Sequence, residues 1–179
     1  DVIFLAVIGL SVFWGISQAT MAVFPSFAKM YLNITDVFMI NGVIGASGIG
    51  IAIGAVLYSR ISRHYIEVGT IPLASFGMAL TLYLSTIVQS PLLLGISFLL
   101  FGVFGGMFVV PLNALIQFNA KKRVLGTILA GNNWFHSLSM FLMLSMTTVV
   151  SYYDFDPLNT IYLILLITII GTLYTVYKL

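Results

Sequence analysis

Five stretches of this chain carry no charged residue: Val2–Ala28, Val37–Ser59, Val68–Ala120, Val124–Tyr153 and Pro157–Tyr177. A helix needs about 20 apolar residues to cross the hydrocarbon core of a bilayer. Four of the stretches suffice for one crossing each. The longest, Val68–Ala120, holds two, hinged at Gln89-Ser90-Pro91. The expectation is an all-α, polytopic membrane protein, with residues 1–179 forming one six-helix transmembrane bundle. Composition agrees: 60% of residues are hydrophobic and 7% charged, well outside the soluble range.

Several function classes fall away. With no cysteine there is no disulfide framework and no thiolate metal site. The net charge of +2 is not a nucleic-acid signal, because the few cations are needed for topology. The first apolar run is too long for the core of a signal peptide and has no basic segment before it. The chain opens on Asp1, already beside a membrane segment, so a piece of a longer protein is expected. No acidic residue lies within a span away from its ends. Neither histidine, His64 in a loop or His136 in a helix, begins an HxxxxD pattern, and HExxH, GxSxG and a phosphate-cradling glycine loop are absent. An enzyme is not expected, and no catalytic, cofactor or metal residue is assigned.

The polar residues inside the spans are therefore informative, since an amide in hydrocarbon needs a partner or a watery cavity. Ser11, Trp14 and Gln18 share one face of the first helix. In the second, Asn41, Gly45, Gly48 and Ala52 form a stripe of small residues, read first as a packing face. Thr35 or Asp36 is placed to cap that helix. The third opens near Glu67, and Ser90-Pro91 starts the fourth as cap and first-turn proline.

The fourth helix, ending near Arg123, is the most unusual. Gly102, Gly105 and Gly106 invite close approach by a neighbour, and Pro111 removes the hydrogen bond to the Met107 carbonyl. Asn113 and Gln117 follow one turn apart, and Lys121-Lys122-Arg123 end it. The fifth carries Asn132, Asn133, His136, Ser137 and Ser139, with Asn132 and His136 one turn apart. His136 reads either as a proton relay or as a packing residue bonded to an amide or hydroxyl. Asp156-Pro157 begins the sixth, which Lys178 closes. The candidate substrate-binding residues are thus Trp14, Gln18, Asn41, Asn113, Gln117, Asn132, Asn133 and His136.

If the helices alternate, Arg60, Arg63, Lys121, Lys122, Arg123 and Lys178 fall on one side. Lys29 falls on the other, with Asp36, Asp154 and Asp156. By the positive-inside rule both ends of the chain are expected to be cytoplasmic. Six helices with amide-bearing faces suggest half of a twelve-helix carrier, which holds its substrate between two halves near the midplane. A faint internal echo fits two inverted three-helix repeats: the first and fourth helices contain Pro25 and Pro111, and the second and fifth contain asparagine.

Two motifs go further. Ala55-Val-Leu57-Tyr-Ser59-Arg60-Ile-Ser62-Arg63 resembles a degraded form of the major facilitator superfamily loop GxLaDRxGR. Its arginines match, but Ala55, Ser59 and Ser62 replace the glycines and the aspartate. The run GGMFVVPLNALIQ followed by Lys121-Lys122, with Phe13-Trp14-Gly15 before it and Asn132-Asn133 after it, resembles the bacterial lysophospholipid transporter family. The resemblance covers nearly the whole chain, most strongly Gly102 to Met143. It implies helices seven to twelve of a carrier that moves lysophospholipids, chiefly lysophosphatidylethanolamine, inward across the bacterial inner membrane. It also implies an N-terminal six-helix half as partner, and an acyltransferase and acyl-ACP synthetase that re-acylate the lipid, in some relatives fused to the carrier.

The residue chemistry is compatible with such a cargo. Gln18, Asn41, Asn113, Asn132 and Asn133 offer uncharged polar contacts to a zwitterionic head. Trp14, Phe108, Trp134, Phe135, Met140 and Met143 offer an apolar lining to a single tail. Two alternatives stand beside this reading: a major facilitator carrier for another amphipathic solute, and a membrane anchor for a fused acyltransferase.

Overall fold

The computed structural model describes residues 2–62 and 65–178. Arg63 and His64, which the sequence places in the basic loop after the second helix, lie outside the described residues. Six helices make up the structure: α1 Val2–Leu32, α2 Val37–Ile61, α3 Thr70–Ile87, α4 Pro91–Asn119, α5 Leu125–Tyr152 and α6 Pro157–Lys178. All six contain windows long and apolar enough to cross a membrane, and among the described residues there is no strand. The 31 residues of α1 span about 46 Å at 1.5 Å per residue, well beyond a hydrocarbon core of about 30 Å.

Local chemistry sets the ends of these helices. The chain leaves α1 through Asn33 at φ 55°, and the Ile34 N–H donates back to the Ala28 carbonyl at 3.1 Å. A left-handed residue just past the last turn is a common way for a helix to end, and this wider closure satisfies one of the carbonyls left over there. Of the two capping candidates for α2 it is Asp36 that acts, accepting the Phe38 N–H at 2.9 Å. Asp156 caps α6, accepting the Leu158 N–H at 2.8 Å. Pro91 opens α4 as expected, its missing N–H falling where a helix has no partner for it, but the Ser90 hydroxyl makes no capping bond. Helix α3 begins at Thr70, three residues later than Glu67 suggested. The Thr70 hydroxyl donates to the Glu67 carbonyl at 2.7 Å, which closes the turn ahead of the helix.

The helices pair in a pattern that maps onto itself. Helix α4 packs on α2, α3 and α1; helix α1 packs on α5, α6 and α4; α3 meets α6. Exchanging α1, α2, α3 for α4, α5, α6 turns α2–α4 into α5–α1 and α3–α4 into α6–α1, and leaves α1–α4 and α3–α6 unchanged. Interlocked three-helix repeats produce that symmetry, in line with the echo of proline and asparagine in the sequence.

The most extensive seam, α2 against α4, depends on glycine. A Cβ on Gly102 would lie 2.0 Å from the Ser47 carbonyl oxygen, and one on Gly106 2.3 Å from that of Ile51. From the other side, a Cβ on Gly50 would lie 2.1 Å from the Leu99 oxygen and one on Gly54 2.0 Å from that of Val103. The two backbones touch, as small-residue seams in membranes allow. Gly105 serves a different neighbour: its missing side chain makes room for the Phe13 ring.

The stripe expected to pack on α2 takes no part in packing within these six helices. Asn41, Gly45, Gly48 and Ala52 are all exposed, and nothing lies within 4 Å of a Cβ built on Gly45 or Gly48. The seam uses Ser47, Gly50 and Gly54 instead. Helix α2 carries small residues on two faces, and periodicity alone does not choose between them.

Candidate functional site

Helix α5 is the least covered of the six. Its buried residues are Asn132 and Thr147, both polar, and it leans on α1 with only a slight touch on α6. Gly15 is what lets α1 and α5 approach: a Cβ there would lie 2.6 Å from Ser139 Oγ and 2.9 Å from Met143 Cγ. One residue earlier on α1, the Trp14 ring sits over the α5 surface, its centroid 6.4 Å from that of His136 at an angle of 41°. The Phe13 ring supports Trp14 edge-on at 5.3 Å.

In this seam lies an unusual pair of polar atoms. Asn132 is 3% exposed, and its Oδ1 is enclosed without a hydrogen-bond partner; so is His136 Nε2, one turn along the same helix. Buried polar atoms in folded proteins are nearly always paired, so each orphan calls for an explanation. Two orphans one turn apart, the second of them on the side chain that faces the Trp14 indole, make a small polar niche able to take a donor from a bound molecule.

The other candidates are dispersed. Gln18 is half-buried on α1, one turn beyond Trp14. Asn113 is half-buried on α4, and its Nδ2 donates to the Val109 carbonyl at 3.0 Å within its own helix. That bond falls in the turn Pro111 disturbs, so the amide supports a helix that has lost a backbone donor there. Gln117, Asn133 and Asn41 are exposed, on α4, α5 and α2. The structure therefore brings Trp14, Asn132 and His136 together, and does not gather the remaining amides around them. No group of three or more His, Asp or Glu side chains suited to a metal occurs among the described residues.

Two cavities complete the picture. One of about 140 Å³ lies between α1, α3, α4 and α6, walled by apolar side chains that include Phe13, Met78, Phe108 and Leu112, with Lys178 also on its lining. Of the expected tail-lining residues Phe108 lies there, whereas Trp134 and Phe135 are exposed. The other, about 410 Å³, lies between the far ends of α1 and α5 and the start of α6, and is rich in hydroxyls. Sequence reasoning passed it over. The signal was the Thr147-Thr148…Ser151 cluster at helical spacing, which looks like ordinary back-bonding serine and threonine until α1 and α6 are seen beside it.

Six apolar spans and a self-similar helix pairing define a polytopic α-helical membrane protein. No family model and no solved structure matches the chain. Curated relatives do, and those named here are all called lysophospholipid transporter LplT. The chain is 31% identical to the one from Cronobacter sakazakii over 148 residues, covering 79% of this chain and 36% of that protein. It is 32% identical to the one from Escherichia fergusonii over 141 residues, covering 78% and 35%. It is 24% identical to the one from Photorhabdus laumondii over 149 residues, covering 81% and 36%. The chain is thus a homologue of a section of the lysophospholipid transporters, and it spans about a third of their length.

Proposed function

We propose that this chain is the C-terminal six-helix half of a major facilitator carrier that moves lysophospholipids, lysophosphatidylethanolamine among them, inward across a bacterial inner membrane for re-acylation. The observation that carries the reading is the niche of Trp14, Asn132 and His136, with two buried atoms left unpartnered, in a chain whose relatives are named lysophospholipid transporters. A lysolipid brings hydroxyl and ammonium donors on its head and one apolar tail, so it can satisfy the orphans without a fixed protein charge.

The uncovered face of α5 supports the same reading. Asn133 and Ser137 are exposed there beside Trp134 and Phe141. Polar side chains facing hydrocarbon are costly, so such a face belongs against protein or a wet cavity. An N-terminal six-helix half laid across α2 and α5 would provide both, with Asn41 and Asn133 on the facing wall. Both ends of the chain are then cytoplasmic, along with Arg60 and Lys121–Arg123, following the cation bias. Re-acylation would fall to an acyltransferase and acyl-ACP synthetase, separate or fused.

The test is uptake of radiolabelled lysophosphatidylethanolamine by cells that lack their own carrier and express the full-length protein. Uptake that disappears with Asn132→Leu while the protein stays in the membrane supports the proposal. Absent uptake with acyltransferase activity intact favours a membrane anchor instead.

A further inference from the structure

The hydroxyl-rich cavity lies away from the Trp14–His136 seam, at the end of the bundle opposite the Lys121–Arg123 loop. Ser26 of α1, Thr147, Thr148 and Ser151 of α5 and Thr160 of α6 line it. Three of their protons are already committed. The hydroxyls of Thr147 and Thr148 both donate to the Leu144 carbonyl at 2.8 Å, and that of Thr160 donates to the Asp156 carbonyl at 3.2 Å. A hydroxyl has one proton and two lone pairs. Once the proton is spent on the helix, the side chain presents acceptors only.

Thr147, Thr148 and Thr160 therefore present acceptors alone, while Ser26, Ser151 and the Tyr152 phenol can also donate, and Phe155 completes an uncharged lining. Among the described residues no lysine or arginine lines it, so a phosphate would find no countercharge there and fewer donors than acceptors. A primary ammonium is well served, because its three N–H groups find lone pairs and its charge is attracted to aromatic faces. The crevice is also held in shape. Tyr31 at the end of α1 donates its hydroxyl to Asp156 Oδ2 at the start of α6, and Asp156 Oδ1 is engaged in capping that helix. Lys29, one turn past Ser26, is the cation in the last turn of α1.

We propose that this crevice is a headgroup site, taking the primary ammonium of a lysophospholipid at the end of the bundle opposite the basic loops, before the lipid reaches the α1–α5 seam. The proposal rests on the transport reading above and adds to it a place and a chemical preference.

The experiment uses the full-length protein in proteoliposomes. The probe is lysophosphatidylethanolamine with a photoactivatable group on the first carbons of its acyl chain, beside the head. Crosslinks are expected in residues 144–160. Crosslinks confined to residues 128–140 while uptake proceeds would overturn the crevice site and leave the transport reading standing; absent uptake removes that reading, and the site with it. Excess glycerophosphoethanolamine, the same head without a chain, should leave the labelling in place; if it abolishes labelling at matched concentration, the crevice serves a soluble amine and the lipid site is refuted. A triple variant, Ser26→Ala, Thr148→Val and Ser151→Ala, should weaken apparent affinity for lysophosphatidylethanolamine by about tenfold, as expected for lost hydrogen bonds to a charged group. Its affinity for the N-trimethyl counterpart, which has no N–H to donate, should be unchanged. Equal loss for both lipids would contradict the proposal.

Discussion

Adding one methyl group at Gly102 should open the bundle. A Cβ at that position would sit 2.0 Å from the Ser47 carbonyl oxygen and 3.0 Å from the Gly50 Cα, all of it backbone that no rotamer change can move. Ordinary contact begins at 3.4 Å, so Gly102→Ala falls about 1.4 Å short and α2 must move away from α4. A gap of about 0.5–1 Å already forfeits a quarter to a half of each dispersion contact along a seam. Gly50, Gly54 and Gly106 would all lose theirs together. Overpacking of a tight core costs about 1–3 kcal/mol and occasionally more, and with the whole seam involved the upper part of that range applies. In the purified full-length protein this should appear as a fall of about 3–6 °C in the temperature at which the monodisperse fraction is lost. Gly95→Ala, on the same helix α4, is the control, since nothing lies within 4 Å of its Cβ; its effect should be small by comparison. A Gly102→Ala protein as stable as the native one would refute the α2–α4 contact and the symmetry built on it.

Other consequences follow from single residues. Asn132→Leu removes an acceptor that has no partner, so thermal stability should hold or rise by about 1 kcal/mol while lysolipid uptake is lost; a large loss of stability would instead make Asn132 a structural residue. Asp156→Ala removes both the α6 cap and the bond to Tyr31, and should cost about 1–2 kcal/mol in thermal or denaturant unfolding. Lys121→Cys, in a full-length protein cleared of any cysteine outside this cysteine-free chain, should react with an impermeant maleimide only after the membrane is opened; labelling from outside would reverse the proposed orientation.

The spans were legible because the bilayer imposes one rule on every helix, and hydropathy with helix length reads it directly. Pro91, Asp36 and Asp156 marked helix starts for local reasons, and local reasons are what a sequence contains. Helix pairing is different. Gly102, Gly105 and Gly106 announced a close neighbour but not which one, and the partner proved to be α2 for two of them and the Phe13 ring for the third. On α2 the stripe of Asn41, Gly45 and Gly48 looked as suitable as that of Ser47, Gly50 and Gly54, and only the register of α4 separates them.

The candidate site divides in the same way. That Asn132, His136 and Trp14 were noteworthy followed from the cost of polar groups in hydrocarbon. That these three meet, while Asn113 spends its amide on the Val109 carbonyl, depends on how α1 lies against α5. The hydroxyls of the far cavity come from three helices, and no window along the chain contains them together.

Lysolipid transport is measured most directly as the inward movement of lysophosphatidylethanolamine by the full-length protein in proteoliposomes, read by back-extraction with albumin. A fraction that albumin cannot recover should grow with time in the native protein and be absent in Asn132→Leu. Complete recovery of the lipid at all times from vesicles holding correctly folded native protein would contradict the transport reading.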